Sequence, residues 1–524
     1  MARYREVVSR CHAEWRTTRG MGTAQASAGT FTYKRHEPEK TLLYRVLARE
    51  WDTWFAERQA DTSRTPLPAY VEREFEAYFR CGRLEYGFVL VSCDACDEGL
   101  PVAFSCKKRG FCASCSAKRK SETAVHLVDN VLPHTPYRQW VTTFPHALRF
   151  WMAASRKLTS RVHQLVTAMI TRYYINAAEE LGIKDPQAGG ATFVQRFGSA
   201  LNLNVHMHTV VIDGVFSMAG GTPKFYQVRG PSDEEVADIV AAVAHNVIEA
   251  LRQDNYLPEE GLEIDRPGWL DKSFAESEQL SAAASASSTM RIAFGERAGQ
   301  KVRRIGRGFG YEEEIPSVKG KRCYSVNGFT IHANRYIGPQ ERGKLEELLA
   351  YGARGSFAND RLSLLDPEQP DGDLVYSLKR PWSDSTEGIV MSSAEIIEKL
   401  VALIPPPYVH LSRYFGVLSS HSKWRRQIIL QPHVKKGFAS SADGQGSEKM
   451  TWSRLLARVF KIDITRCKKC GARLHPENCD VVTLGPMIIA TLLALGLSAD
   501  PPQRGPPRRA YFDPDIDQSH PYLD

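Results

Sequence analysis

Two Cys-x2-Cys pairs, Cys93/Cys96 and Cys112/Cys115, stand fifteen residues apart in this chain. A Cys-x2-Cys segment bends the backbone so that two thiolates face one ion, and two such knuckles complete the tetrahedron that zinc prefers. Four sulfurs leave no open position, so the expected metal holds the fold together. Cys106 lies between the pairs and is an alternative ligand; Cys81 and His126 are weaker candidates. The chain has 11 cysteines, and their clustering points to metal binding in a reducing compartment rather than to disulfides. Lys107, Lys108, Arg109, Lys118, Arg119 and Lys120 flank the block. A basic zinc module of this kind suits nucleic acid, although such charges are equally those of a solvated surface.

The rest of the chain reads as a soluble α+β protein. Its 524 residues suffice for several units, at roughly 100–200 residues each. Lys+Arg total 68 against 60 Asp+Glu, an excess compatible with a polyanionic partner but no proof of one. The start, Met1-Ala-Arg-Tyr-Arg, lacks the apolar core of a secretory signal. The apolar run Met487 to Leu497 is too short for a bilayer, which needs ~20 residues, and reads as a buried helix. A cytoplasmic protein without a membrane partner is therefore expected. Helical spacing marks Leu42–Trp54, Tyr70–Phe79, Ser121–Val131, Lys157–Leu181, Pro231–Leu251, Pro339–Tyr351 and Ala394–Leu403. Thr192–Phe216 and Lys301–Ile337 are strand-like, with Asp213-Gly214 as a hairpin turn. The serine- and alanine-rich stretch from Ser281 reads as a flexible loop or insertion.

Within the strand-like stretch, Asn202-Leu-Asn-Val-His206-Met-His208 is the most informative segment. A strand alternates with period two, so His206 and His208 share one face and can grip one divalent ion. Taken alone, such a pair is equally two hydrogen-bonded histidines on a sheet.

Together these features resemble the rolling-circle transposases of the insertion-sequence-ninety-one type, within the HUH endonuclease superfamily. The resemblance covers about residues 75–430. It rests on Phe104-Ser-Cys-Lys-Lys-Arg-Gly-Phe-Cys-Ala-Ser-Cys115, Phe197-Gly-Ser-Ala-Leu-Asn-Leu-Asn-Val-His-Met-His208, Tyr351-Gly-Ala-Arg-Gly355 and Arg413-Tyr-Phe-Gly-Val-Leu418. It implies a nuclease core of antiparallel sheet flanked by helices, Mg²⁺ or Mn²⁺ at the histidine pair, and single-stranded DNA at element ends and targets as the partner. The nucleophile it implies is Tyr351. Some members carry two tyrosines four apart; here Glu347 stands at the earlier position, which makes this a single-tyrosine form. Competing tyrosines are Tyr336, Tyr376 and the pair Tyr173-Tyr174. The expected organisation is a helical leader (1–74), a zinc module (75–135), a nuclease domain (136–430) with an insertion around 252–300, a small helical C-terminal unit (431–498) and a disordered tail (499–524).

A hard ion prefers oxygen ligands, so a third ligand is expected beside two imidazoles. Gln195, on the strand-like segment before the histidines, is the first choice; as a surface polar residue it would do nothing. Asp213 reads as a turn residue only. Arg354, just after Tyr351, suits a scissile phosphate or a helix C-terminus. Lys423-Trp424-Arg425-Arg426 interleaves charge with an aromatic ring, a pattern that suits single strands. Cys467 and Cys470, with His475 and Cys479, form a weaker candidate for a second zinc site. No G-x-x-x-x-G-K-[ST] loop is present, so no nucleotide cofactor is expected. Two other functions fit parts of the pattern: a zinc-dependent DNA-binding protein without nuclease activity, and a hydrolase in which the histidines activate water.

Overall fold

A computed structural model of the chain describes residues 37–96, 98–254, 256, 270–306, 320–382, 384–429, 466–467, 469–472, 474 and 479–500. Most of the expected leader, the tail from Pro501, residues 257–269 of the expected insertion, residues 430–465 and His475 lie outside the described residues.

Two helices open the described chain, α1 (Leu42–Ala60) and α2 (Ala69–Arg80). Thr41 caps α1 by accepting from the Tyr44 amide, and the stripe Leu43, Leu47, Trp51 and Trp54 is buried. Trp51 stacks on Phe75 of α2 at 3.7 Å between ring centroids. Strands β1 (Phe88–Ser92) and β2 (Gly99–Ala103) form a hairpin. Helix α3 (Ala113–Asn130) begins a good two turns before the expected Ser121, because Cys112 is its N-cap residue. Strand β3 (Tyr137–Thr143), helix α4 (His146–Ala154) and helix α5 (Arg156–Glu179) follow.

The strand-like stretch resolves into β4 (Gly189–Phe197), β5 (Leu203–Ile212), β6 (Gly214–Ala219) and β7 (Thr222–Gln227). The hairpin expected at Asp213-Gly214 is not there. β6 pairs with β7, and the turn is Gly220-Gly221, where both residues have positive φ (60° and 82°). That geometry favours glycine twice over. Asp213 instead marks where the strand leaves the sheet. It is also more than a turn residue: it is buried, bonded to the Arg138 guanidinium by two contacts of 2.9 Å, and it accepts from Tyr174 Oη at 2.8 Å.

Helix α6 (Asp233–Gln253) starts with a Ser232/Glu235 capping box. Beyond it lie the short α7 (Lys272–Ala275) and α8 (Glu278–Ser288). The stretch from Ser281 is thus a helix, not a flexible loop. Its small residues allow close approach, and Ala283, Ala284 and Ser287 are fully buried. Strands β8 (Arg303–Gly306), β9 (Cys323–Val326) and β10 (Phe329–Ile337) lead to helix α9 (Arg342–Gly352). Then come β11 (Leu362–Leu364), β12 (Leu374–Ser377), β13 (Thr386–Met391), helix α10 (Ser393–Leu403), β14 (Ser412–Gly416) and helix α11 (Arg425–Ile429). Strand β15 (Cys479–Val482) and helix α12 (Gly485–Ala494) complete the described chain.

The architecture is mixed, with antiparallel sheets. Its centre is a six-stranded sheet in the order β14-β4-β5-β3-β10-β9. One face carries Val205, Met207 and Val211 into a large apolar core with Leu158 and Val162 of α5, Val240 and Val243 of α6 and Leu280 of α8. The opposite face carries Phe193, Val210 and Ile212 against Leu127 and Val128 of α3 and Leu345, Leu348 and Leu349 of α9.

Of the C-terminal unit expected over 431–498, the described strand β15 joins the N-terminal module. β15 pairs antiparallel with β1 and makes a three-stranded sheet, β15-β1-β2. The apolar run from Met487 is not fully buried: Ile488 and Leu492 pack inward, but Met487 and Leu493 stay exposed. No helix among the described residues is long and apolar enough to cross a membrane.

Candidate active site and metal centres

The alternation read from the sequence places His206 and His208 on the face of β5 that looks toward α3 and α9. Cross-strand register builds outward from them. Gln195 of β4 is opposite His206, and Phe193 is opposite His208. On the other side, Val141 and Gln139 of β3 face His208 and Val210, and they in turn face His332 and Arg335 of β10. A bulge between His332 and Arg335 adds one residue to β10, which brings Arg335 rather than its neighbour onto this face.

Both histidines are buried, with ring centroids 5.0 Å apart. Burial pushes their pKa values down, to about 4 for His206 and about 3 for His208. Both are therefore neutral near pH 7, the form that binds metals. His206 Nδ1 lies 2.9 Å from the Asn204 carbonyl, which holds its proton on Nδ1 and leaves Nε2 a lone pair. His208 Nδ1 lies 2.9 Å from the Gln139 side-chain amide. The Gln139 atom placed there is Nε2, which donates to Nδ1 and leaves the proton on His208 Nε2; a half-turn of the Gln139 amide would free the lone pair of His208 Nε2.

Helix α9 brings Tyr351 to the histidines. Its ring lies edge-on to His208 at 5.5 Å between centroids, and it remains 37% exposed. Gln195 sets this approach, donating from Nε2 to the carbonyls of Tyr351 (2.9 Å) and Gly352 (2.8 Å). These are carbonyls at the end of the helix, where intrahelical donors run out. Gly352 permits the contact: a Cβ there would sit 2.6 Å from the Phe193 ring. The other Gln195 atom, Oε1, is buried without a hydrogen-bond partner, as is His208 Nε2. Orphaned buried polar atoms are uncommon and want a partner. Two imidazoles and an amide oxygen on adjacent strands fit a divalent ion.

Tyr351 opens onto a cavity of about 990 Å³. Among the described residues its walls carry Lys120, Arg335, Arg354, Arg361, Lys379 and Arg380, against one carboxylate, Asp360. The Arg354 guanidinium lies 4.4 Å from the Tyr351 ring centroid, and Lys379 Nζ lies 5.3 Å from it. Phe357, Tyr376 and Trp382 add aromatic surface. Lys120, Tyr351, Arg354 and Tyr376 stand out in the sequence for separate reasons, and nothing there groups them with the rest, because these residues come from separate loops and helices with no common motif. The other tyrosines are placed elsewhere or differently used. Tyr174 is buried on Asp213, Tyr173 donates to the Arg229 carbonyl, and Tyr376 is buried in the cavity wall. Tyr336 is exposed beside Arg138.

Lys423, Trp424, Arg425 and Arg426 do not line this cavity. Trp424 packs into the apolar cluster of α3 and α9, and Arg425 bonds the Leu418 carbonyl, so two of the four are used for packing.

The cysteines divide differently from the sequence spacing. Cys112 and Cys115 do not join Cys93 and Cys96; they join Cys81 and Cys106. Sγ–Sγ distances here are 3.4 Å (Cys106–Cys115), 3.6 Å (Cys81–Cys115) and 3.7 Å (Cys112–Cys81). A zinc tetrahedron with ~2.3 Å bonds has edges near 3.8 Å. The reason is local. Cys81 caps the end of α2 and Cys112 the start of α3, and these helix ends meet, whereas Cys93 and Cys96 sit at the tip of the β1–β2 hairpin. Cys93 and Cys96 instead meet Cys467 and Cys470, a cluster that does not include Cys479; His475 lies outside the described residues. His126 faces Asn130 along α3. The first cluster anchors the helix whose Ser116, Ala117 and Lys120 form a wall of the cavity. Of the basic residues around it, Arg109 is bonded to the Val409 and Pro406 carbonyls and Arg119 to those of Lys107 and Lys108.

A DNA-processing class of protein fits this combination of metal-competent histidines, exposed tyrosine, basic cavity and cysteine clusters. Two stretches match family models. Residues 47–144 match the transposase zinc-binding domain, and residues 189–426 match the family described as "Putative transposase". The chain belongs to the transposases of the insertion-sequence-ninety-one type. Its cysteine clusters and matched domain support structural zinc. No curated protein and no solved structure matches significantly.

Proposed function

We propose that this transposase nicks and rejoins single-stranded DNA through Tyr351, with the six-stranded sheet as an HUH-type nuclease core, in rolling-circle transposition. The observation that carries this reading is Tyr351 itself, whose ring meets buried His208 edge-on at 5.5 Å while lining a basic cavity.

Tyr351 is exposed enough to meet a strand, and the Gln195 bonds hold the helix end that carries it. Attack of the Tyr351 oxygen on a backbone phosphorus forms a 5′-phosphotyrosine and breaks the bond to the 3′ oxygen. The phenol gives up one proton and the departing 3′ oxygen takes one. Reverse attack by a 3′-hydroxyl rejoins the strand, so the bond energy is kept and no nucleotide is needed. His206, His208 and Gln195 would hold Mg²⁺ or Mn²⁺, which supplies electron withdrawal at the phosphate. Arg354 and Lys379, beside the tyrosine, neutralise phosphate charge. The aromatic rings among the cations suit unpaired bases, which stack while the charges follow the backbone.

The test is a denaturing gel of the purified protein with Mn²⁺ and labelled single strands tiled over the ends of the encoding element. A covalent complex that disappears in Tyr351→Phe is expected. Zinc-loaded wild-type protein that binds these strands yet forms no adduct would replace this reading with DNA binding alone.

A further inference from the structure

We propose that Cys93, Cys96, Cys467 and Cys470 hold a second zinc ion, and that this ion is a clasp fastening the C-terminal part of the chain to its N-terminal module. Cys467 and Cys470 lie outside both stretches that match transposase families. The partners are 377 residues apart (Cys93–Cys470) and 371 apart (Cys96–Cys467), yet each pair of sulfurs is 3.6 Å apart. All four sulfurs lie within 4.8 Å of one another. That spacing is close to the edge of a zinc–thiolate tetrahedron, near 3.8 Å, and far beyond the ~2.05 Å of a disulfide.

Each side is built as a ligand knuckle. The Cys93 amide donates to the Glu98 carbonyl across the hairpin tip, and the Cys467 amide donates to the Ala472 carbonyl at 2.8 Å. Gly471 follows Cys470 with φ +75°, the reversal such a turn requires. Backbone amides point at the sulfurs: Ala95 at Cys93, Glu98 at Cys96, and Lys469 and Cys470 at Cys467. Amide donors stabilise thiolate charge and orient ligands. The neighbouring strand continues the contact. β15 pairs with β1 from Phe88↔Val482 to Val91↔Cys479, and Leu474 packs beside Val91 and Cys93. The result is a zinc ribbon split between two distant parts of the chain. Cys470 is exposed, while three of the four cysteines of the other cluster are buried. The clasp zinc is therefore the one a chelator removes first.

Zinc per chain, measured by mass spectrometry on the purified full-length protein, tests this. Two ions are expected in the wild type. C93S/C96S and C467S/C470S should each retain one, and the quadruple variant should also retain one, because both pairs serve the same ion. Two ions retained in C467S/C470S, or none in the quadruple variant, would overturn the proposal, as would a wild type with one. Because a pair variant could misfold, a second measurement uses otherwise wild-type protein with a specific protease site inserted between Gly444 and Gln445. After cleavage, the two fragments should co-elute on gel filtration and separate when a chelator removes the first zinc. Co-elution after complete zinc removal, or separation with two ions still bound, would refute the clasp.

Discussion

The two faces of β5 do opposite work with alternate residues of one strand. Val205, Met207 and Val211 close the large apolar core. His206 and His208, one step away along the strand, sit against polar neighbours, and His208 Nε2 and the adjacent Gln195 Oε1 are buried without partners. The first face contributes apolar packing, and the second presents a cluster of donor atoms that suit a metal ion. The difference teaches where to cut the molecule: stability and chemistry should separate between residues 207 and 208.

The sharpest break would come from His208→Ala against Met207→Ala. Loss of a metal ligand should lower adduct formation by at least about a hundredfold, the upper range seen for merely supporting residues. The stability cost should be small, because the substitution also removes an orphaned buried nitrogen. Met207→Ala should instead cost about 2–5 kcal/mol through lost packing and a cavity. The adduct formed per folded molecule should stay unchanged. Urea titrations and gel yields on the two variants check this, and equal effects from both would erase the contrast between the faces.

Acid should strain the histidine face alone. In metal-free protein, burial depresses the His206 and His208 pKa values to about 4 and about 3. The unfolded chain takes up those protons near pH ~6.5, so their contribution is complete above that pH and is lost as pH falls toward 4. The slope is up to about 1.4 kcal/mol per pH unit for each histidine. Urea unfolding at pH 7, 6 and 5 should show it, and replacing both histidines by glutamine should flatten it. An unchanged slope in that double variant would place the acid sensitivity elsewhere.

The smallest effect concerns the cavity beyond the histidines. Arg335→Ala should weaken single-strand binding uniformly across sequences. It should also reduce the slope of log affinity against log salt by about 0.7, the share of one phosphate contact. A salt slope identical to wild type would remove Arg335 from the DNA path.

Much of this site was legible before the structure. Period-two alternation alone sets His206 and His208 on one face, and helical spacing with a following glycine sets Tyr351 at a helix end. The capped helices α1, α6 and α10 were readable for the same reason: their signals lie within one or two turns of chain. Other readings failed where the deciding contact was distant. The stretch from Ser281 resembles a loop until α4 and α10 are present to bury its small side chains. Asp213-Gly214 resembles a hairpin until Arg138 and Tyr174 claim the carboxylate.

What the sequence determined by itself is the chemistry available: cysteines in Cys-x2-Cys knuckles, paired imidazoles on a strand, a tyrosine at a helix end. Only the tertiary structure decided which of these meet. Spacing joined Cys93 and Cys96 to the nearest knuckle, but helix ends and a strand pairing assign them to Cys467 and Cys470 instead. Likewise Arg335 reaches the cavity only through a bulge in β10. Local preferences act over a few residues, whereas a metal tetrahedron or a cavity wall needs groups brought together in space, and their distance along the chain sets no limit on that.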